Sequence, residues 1–423
     1  YTINDGNSGG NYSVTTNSAS GSITQAALIL NAVTGSKVYD GNTSSTGAVA
    51  VSGLATGDSV SSTSQAFSSK NVLGTNASTL NVAGYTIIDG NSGGNYAVTT
   101  NSAQGYITQA ALALSAVTGS KVYDGSTSSA GTVAVSGLAF GDSISGSSQA
   151  FASKNVLGAN ASALQVNSGY TVIDGNSGGN YSVTTHSAMG SITQAALSLN
   201  AVTGTKVYDG GTTASGAVTV TGLASGDSVS STSQTYANKN VLGTNASTLQ
   251  VNSGYTVNDG NSGGNYVVTT NSANGSITPA ALSLSAVIGS KVYDGNTSSI
   301  GSVAISGLAS GDSISGSSQT FASKNVLGTN ASALNVAGYT VNDSNSGGNY
   351  NVTTHSSPGT ITRLNSVTWI GGASGNWFDA ANWLGGAVPD LANVANVSIP
   401  AGINVNFNNT NASSQVQAGL VQV

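Results

Sequence analysis

The sequence predicts an all-β protein. Tandem immunoglobulin-like β-sandwich repeats of about 85 residues would form a rod, with a partial β domain at the C-terminus. Three observations predict it. Long phrases recur at a fixed interval, apolar and polar residues alternate with period two inside each interval, and clusters of Gly, Asn, Asp and Ser separate the alternating runs.

The recurrence sets the domain boundaries. KVYDG opens at Lys37, Lys121, Lys206 and Lys291, at intervals of 84, 85 and 85 residues. DGNSGGNY begins at Asp5, Asp89, Asp174 and Asp259 and returns as DSNSGGNY at Asp343; KNVLG begins at Lys70, Lys154, Lys239 and Lys324. The chain divides into repeats at 25–108, 109–193, 194–278 and 279–362. Residues 1–24 read as the C-terminal part of a preceding repeat, with the true N-terminus elsewhere, and 363–423 as a Trp-rich β segment that starts a different domain. Such a period exceeds a solenoid rung or a propeller blade, so each repeat is expected to pack its own small core. Linkers are nearly absent, since SITQAALSLNAV (191–202) runs from one repeat into the next, and short joints predict a semi-rigid rod.

Within a repeat the strands follow from alternation. Leu112 and Leu114 alternate with Ala113 and Ser115, and Val133 and Val135 with Ala134 and Ser136. SALQVNS, YTVID and NYSVTT continue the pattern, and the turn-rich gaps leave room for about seven or eight short strands.

Composition removes several function classes. Only 6% of residues are charged but 38% are hydrophobic, which favours a folded chain over a disordered one. The net charge of −6 offers no basic stripe for phosphates, so no nucleic-acid partner is expected. No apolar run reaches the roughly 18 residues of a membrane span, so no direct membrane insertion is expected. Every Lys and twelve of the fifteen acidic residues fall at equivalent places in the repeats, which leaves little charge for a unique site. No G-x-S-x-G elbow, P-loop or dinucleotide fingerprint is present, and His186 and His355 stand where other repeats carry Asn101 and Asn271. The chain is expected to be no enzyme and to need no cofactor.

The recurring phrases are read structurally. In KVYDG the tyrosine (Tyr39, Tyr123, Tyr208, Tyr293) is a core anchor, and Asp40-Gly41, Asp124-Gly125, Asp209-Gly210 and Asp294-Gly295 are turns whose carboxylates cap local amides. A repeated ligand-binding loop is the competing reading. In DGNSGGNY the oxygen-rich start resembles a calcium loop, making Asp5, Asp89, Asp174, Asp259 and Asp343 weak calcium candidates. With no Glu and one carboxylate per loop, a Gly-rich turn feeding a strand is the alternative. N-x-S/T triplets at Asn42, Asn76, Asn160, Asn245 and Asn330 are glycosylation candidates or, for the recurring NAS, turns.

The order of these phrases resembles the YDG repeat domain of large bacterial surface adhesins and exoproteins similar to filamentous haemagglutinin, exported by two-partner secretion. In the second repeat the matching residues are 121–125, 138–142, 151–158, 169–170, 180–185 and 190–197. The resemblance covers residues 1–362. It implies an immunoglobulin-like stalk module at a bacterial surface and assigns no catalytic or binding residue.

The tail differs. Trp369, Trp377 and Trp383 lie within fifteen residues, in a segment similar to the W-x-G and W-x-x-x-x-N-W stretches that precede repeat regions in autotransporter-like proteins. Clustered Trp can stack on sugars or form a small aromatic core. The final residues (403–423) alternate as short strands. The expected function is a structural stalk or filament module of a secreted adhesin or extracellular fibre, serving adhesion or a biofilm matrix. The alternative is a module that binds glycans or a host surface through the Trp-rich tail or the repeated loops. Expected partners are other copies in a filament, reached through strand exchange at 1–24, or cell-surface glycans and proteins.

Overall fold

The computed structural model of the chain describes residues 1–407 and 420–422. The described residues form strands and turns, with two three-residue 3-10 turns at Ala380–Asn382 and Leu384–Gly386. Contacts divide the chain into two compact units, Tyr1–Gln194 and Ala195–Val423.

In the first unit, residues 1–24 contribute no strand. The first repeat then supplies β1 (Ala26–Asn31), β2 (Ser36–Val38), β3 (Ala50–Ser52), β4 (Ser59–Phe67), β5 (Ser78–Ile88), β6 (Tyr96–Asn101) and β7 (Ala103–Thr108). Two sheets result, ordered β3-β1-β6 and β2-β7-β5-β4. Seven strands in two sheets match the count of an immunoglobulin-like sandwich, but the order is its own. β1 runs parallel to β6 and β2 parallel to β7. The alternation read from the sequence explains which face is buried: in the second repeat's first strand, β8 (Ala110–Ser115), Leu112 and Leu114 are buried while Ala113 and Ser115 are partly exposed.

The 84- and 85-residue spacings have a local cause. Repeats one and four carry NVAGY, and β5 and its counterpart Ser332–Asn342 run unbroken for 11 residues. Repeats two and three carry QVNSGY, one residue longer, and the same strand breaks into Ser162–Val166 and Thr171–Ile173, or Ser247–Val251 and Thr256–Asn258. The extra residue cannot be absorbed by a paired strand without shifting its register, so it loops out.

A glycine closes the first sheet of each repeat. Gly137 has φ +97°, and a Cβ there would collide with the Ala111 carbonyl oxygen. Both backbone conformation and space therefore demand glycine. Gly137→Ala is expected to destabilise the second repeat by about 2–4 kcal/mol, the cost of a strained φ plus a steric clash. Equilibrium denaturation measures it, and a loss under about 0.5 kcal/mol would show that the site relaxes freely.

Within the first unit the two repeats are not separately packed beads. One residue, Gln109, separates β7 from β8, and one buried cluster joins Tyr39, Phe67, Leu80 and Ile107 of the first repeat to Ala110, Leu112, Leu114 and Tyr181 of the second. An 80-residue module buries limited apolar area alone, and extending its core into its neighbour adds to it.

The second unit follows the same plan. First strands Ala195–Asn200 and Ala280–Ser285 pair in parallel with Tyr266–Asn271 and Tyr350–His355. Pro279 is the sole residue between Ala273–Thr278 and Ala280–Ser285, and a cluster joins Tyr208, Tyr236, Leu249 and Ile277 to Ala280, Leu282 and Tyr350.

After Arg363 the pairing becomes parallel. Leu364–Thr368 pairs with Val394–Ser398, and Ser374–Asn376 with Asn404–Asn406, each strand displaced by 30 residues; Leu420–Gln422 adds to the first sheet. Stacked parallel rungs of this kind build a solenoid. Of the terminal segment expected to alternate, residues 408–419 and 423 lie outside the described residues.

The three Trp side chains overturn the sugar-stacking reading. Trp369, Trp377 and Trp383 are 3%, 1% and 1% exposed. Trp383 meets Trp369 edge-on at 5.0 Å and Trp377 at 4.8 Å. Their indole N–H groups donate to the carbonyls of Gly372, Pro389 and Trp377. A sugar needs an open ring face, and these rings are the tail's core.

Candidate functional site

The recurring phrases converge at the boundary between repeats. In the first unit, the Tyr39 hydroxyl of repeat one donates to Asp142 Oδ2 of repeat two at 2.9 Å, and the Tyr181 hydroxyl of repeat two donates to the same oxygen at 2.6 Å. The two rings meet edge-on at 5.4 Å. Lys70 Nζ of repeat one lies 3.5 Å from Asp142 Oδ1 and 5.8 Å above the Tyr39 ring. The Asp142 side chain is 2% exposed. A buried carboxylate stays stable only if its oxygens are satisfied; here two phenols and an ammonium satisfy them, one phenol and the ammonium crossing the boundary.

A second contact lies alongside. Asn180 accepts the Val72 N–H at 2.9 Å and donates to Asn71 Oδ1 at 3.2 Å, while Asn176 donates to the Val72 carbonyl at 3.3 Å. KNVLG thus presents its backbone to NSGGNY of the next repeat.

The second unit repeats this chemistry. Tyr208 and Tyr350 donate to Asp312 at 2.8 and 2.6 Å, Lys239 lies 3.4 Å from it, and Asn349 accepts the Val241 N–H at 2.8 Å. The tail then imitates a repeat. Tyr293 donates to Asp390 at 3.0 Å and to the Val388 carbonyl, Lys324 lies 3.0 Å from Asp390, and Asn393 accepts the Val326 N–H at 2.7 Å. A different loop delivers the same kinds of acceptor to the same donors.

The YDG turn fits this role. Asp40, Asp124, Asp209 and Asp294 each accept the N–H two residues on, at 2.9–3.1 Å, and pair with Lys37, Lys121, Lys206 and Lys291. These carboxylates are about half exposed, so the ion pairs contribute little by themselves. Gly41, Gly125, Gly210 and Gly295 all have φ near +80°. A Cβ at Gly41 would press on Ala139 and Phe140 of the next repeat, so the turn is shaped to let a neighbour approach.

The structure gives the DGNSGGNY aspartates a role inside their own turn. Asp174 accepts backbone N–H bonds from Asn176, Gly178 and Asn180 at 2.8, 2.9 and 3.1 Å. Asp5, Asp89, Asp259 and Asp343 are held by the corresponding three amides. Ser177 and Gly178 sit at φ +53° and +81°, the turn that makes successive N–H groups converge. Such a nest binds anions, and here its anion is its own aspartate. Among the described residues no three His, Cys, Asp or Glu side chains cluster to hold a metal. The NAS asparagines Asn76, Asn160, Asn245 and Asn330 have φ of 52–56°, the geometry of a turn.

Titration should report these contacts. Burial alone would raise the Asp174 and Asp343 pKa values, but the converging amides outweigh it and hold both below the ordinary 3.8. Their contribution is therefore full above pH 3.8 and lost as pH falls further. Burial and then the Asp142 carboxylate push Tyr181 up to about 12, and burial and Asp312 do the same for Tyr350. Their contribution is full below pH 10 and is lost as pH rises from the ordinary 10.0 through about 12. Melting temperature should fall at both extremes, with phenolate absorbance showing a late-titrating class; simultaneous titration of all tyrosines near 10 would contradict the joint geometry.

Sequence reasoning named the YDG tyrosines but confined them to their own repeat. It passed over Asp142, Asp312, Asn180 and Asn349 as partners. The signal was present: each repeat keeps an Asp after L-x-x-G with no Lys nearby in sequence, and a recurring carboxylate without a local partner points to a distant one.

These features define a class, the tandem-repeat β proteins whose modules interlock head to tail. The chain belongs to the YDG domain family, whose model matches residues 24–103, 108–188, 193–273 and 278–357. No curated protein sequence matches it significantly. Among solved structures, the crystal structure of Drosophila N-cadherin EC1-4 is similar at 9% identity over 74% of this chain and 95% of that one, with a TM-score of 0.18.

Proposed function

We propose that the chain is a structural stalk or filament module of a secreted bacterial adhesin or extracellular fibre, supporting adhesion or a biofilm matrix. The interlocking joint carries this reading. At Asp142 and again at Asp312, the boundary buries a carboxylate under groups from both repeats, so pulling adjacent repeats apart would expose it without the phenol and ammonium of the preceding repeat. The reading assigns the chain no reaction and places its chemistry in mechanical continuity. Burial of all three Trp leaves the glycan-binding alternative with the repeated loops alone.

Single-molecule pulling from both ends tests it. Cooperative unfolding events should appear, with repeats one and two rupturing as a coupled pair, as should repeats three and four. A smooth extension like that of an unfolded chain would overturn the reading.

A further inference from the structure

The strands through which the chain enters and leaves a repeat are both paired in parallel. β1 lies beside β6 along its whole length, from Ala26 with Tyr96 to Asn31 with Asn101. The Ala26 N–H donates to the Asn95 carbonyl and the Ala32 N–H to the Asn101 carbonyl, both at 2.9 Å, which closes the pair at its two ends. β2 lies beside β7, from Ser36 with Tyr106 to Val38 with Thr108, and the Tyr39 N–H donates to the Thr108 carbonyl at 2.9 Å. Ser102 alone separates β6 from β7, and Gln109 alone separates β7 from β8. In the second repeat Ala110–Ser115 pairs with Tyr181–His186 in the same way, and Ser120–Val122 with residues 191–193. The second unit keeps both parallel pairs in each of its repeats.

Tension along the chain therefore takes a short path through a repeat. It enters at the start of β1, crosses to β6 and leaves through the end of β7. In a parallel pair the start of one strand and the end of its neighbour lie at opposite ends. The two strands are then drawn past each other, and every hydrogen bond between them is loaded together. Pulled apart from one shared end, the same pair would give way one bond at a time. Leu28 and Leu30 of β1 are fully buried, so sliding β1 also drags two apolar side chains out of the core.

We propose that β1 and β6 form the force-bearing lock of the repeat, a shear clamp between the strand that takes up tension and the strand that passes it on. β2 and β7 form a second, shorter lock behind it. The lock is directional: it holds when the two ends of the repeat are drawn apart and opens when the paired strands are peeled from one end. Its resistance is set by the barrier along the direction pulled rather than by equilibrium stability, because forced unfolding follows the unfolding rate. The proposal rests on the stalk reading for its purpose and on the strand directions for its mechanism.

The chain has no Cys, so pulling handles can be attached at introduced pairs in the full chain. Thr24→Cys with Thr108→Cys loads the first repeat across its ends. Val33→Cys with Ser102→Cys pulls β1 and β6 apart from their shared end. All four positions are exposed, and urea denaturation should show both variants as stable as the unaltered chain. At one pulling speed the first geometry should rupture at about threefold the force of the second or more. With the handles at 24 and 108, Leu28→Ala in β1 should lower the rupture force more than Leu80→Ala in β5 for the same loss of equilibrium stability; both side chains are fully buried. Equal forces in the two geometries, or equal sensitivity to the two substitutions, would overturn the proposal. That failure would leave cooperative rupture from both ends, and with it the stalk reading, untouched. Smooth extension from both ends would remove the stalk reading and leave this comparison within one repeat intact.

Discussion

Replacing Asp142 by Ala is expected to destabilise the first unit by on the order of 3 kcal/mol and to split its unfolding into two transitions. The carboxylate oxygen accepts both Tyr39 and Tyr181, and its loss leaves two phenols facing a buried gap. Lys70 is about a third exposed, so solvent screens that pair and most of the loss comes from the two hydrogen bonds. Related substitutions should separate the contributions. Tyr39→Phe removes one boundary-crossing bond and leaves the Tyr181 bond in place, and it should cost about 1–2 kcal/mol. Asp142→Asn keeps an acceptor and should cost less than Asp142→Ala. Urea denaturation followed by circular dichroism reads all three. A single unchanged transition for Asp142→Ala would mean that the joint contributes nothing to coupling.

Trp383→Ala should be the most damaging change in the tail. Its ring contacts both other Trp rings and its indole N–H donates to the Trp377 carbonyl. Truncation should cost about 3–5 kcal/mol through lost burial and the cavity left behind. Near-ultraviolet circular dichroism of the Trp cluster should collapse. Tyr293 of the fourth repeat, held high by burial and then by Asp390, should titrate earlier once the tail no longer covers it. Retained Trp signals with a loss under about 1 kcal/mol would place the ring outside the core.

The sequence made the repeat plan legible because period-two alternation and recurring turns are local properties. Leu112 and Leu114 could be read as buried from four consecutive residues. The parallel pairing of β1 with β6 could not, because it joins residues about 70 positions apart and nothing local encodes the partner. Loop chemistry misled for a related reason. Asp, Asn and Gly at alternate positions suit a cation's oxygen shell and also a backbone nest, and only the φ signs of Ser177 and Gly178 decide between them. The joint was hidden because its two halves, Tyr39 and Asp142, belong to different repeats. Reading each repeat as self-contained assigned the tyrosine to a core and left the aspartate unexplained. The Trp cluster showed the opposite limit: three large rings in close sequence mark a core or a binding face, and burial alone separates them.

The fourth repeat, engaged on both sides, offers donors at one end and acceptors at the other, so the contact is heterologous and has no symmetry that closes it. An in-register duplication of one module would create a working boundary at once, because both mating surfaces are copied together. Array length is then open to change by recombination without redesign of any contact. Stopping the series calls for a foreign partner that bears the acceptors on another scaffold, and Asp390 with Asn393 on the Trp-rich segment meets that requirement.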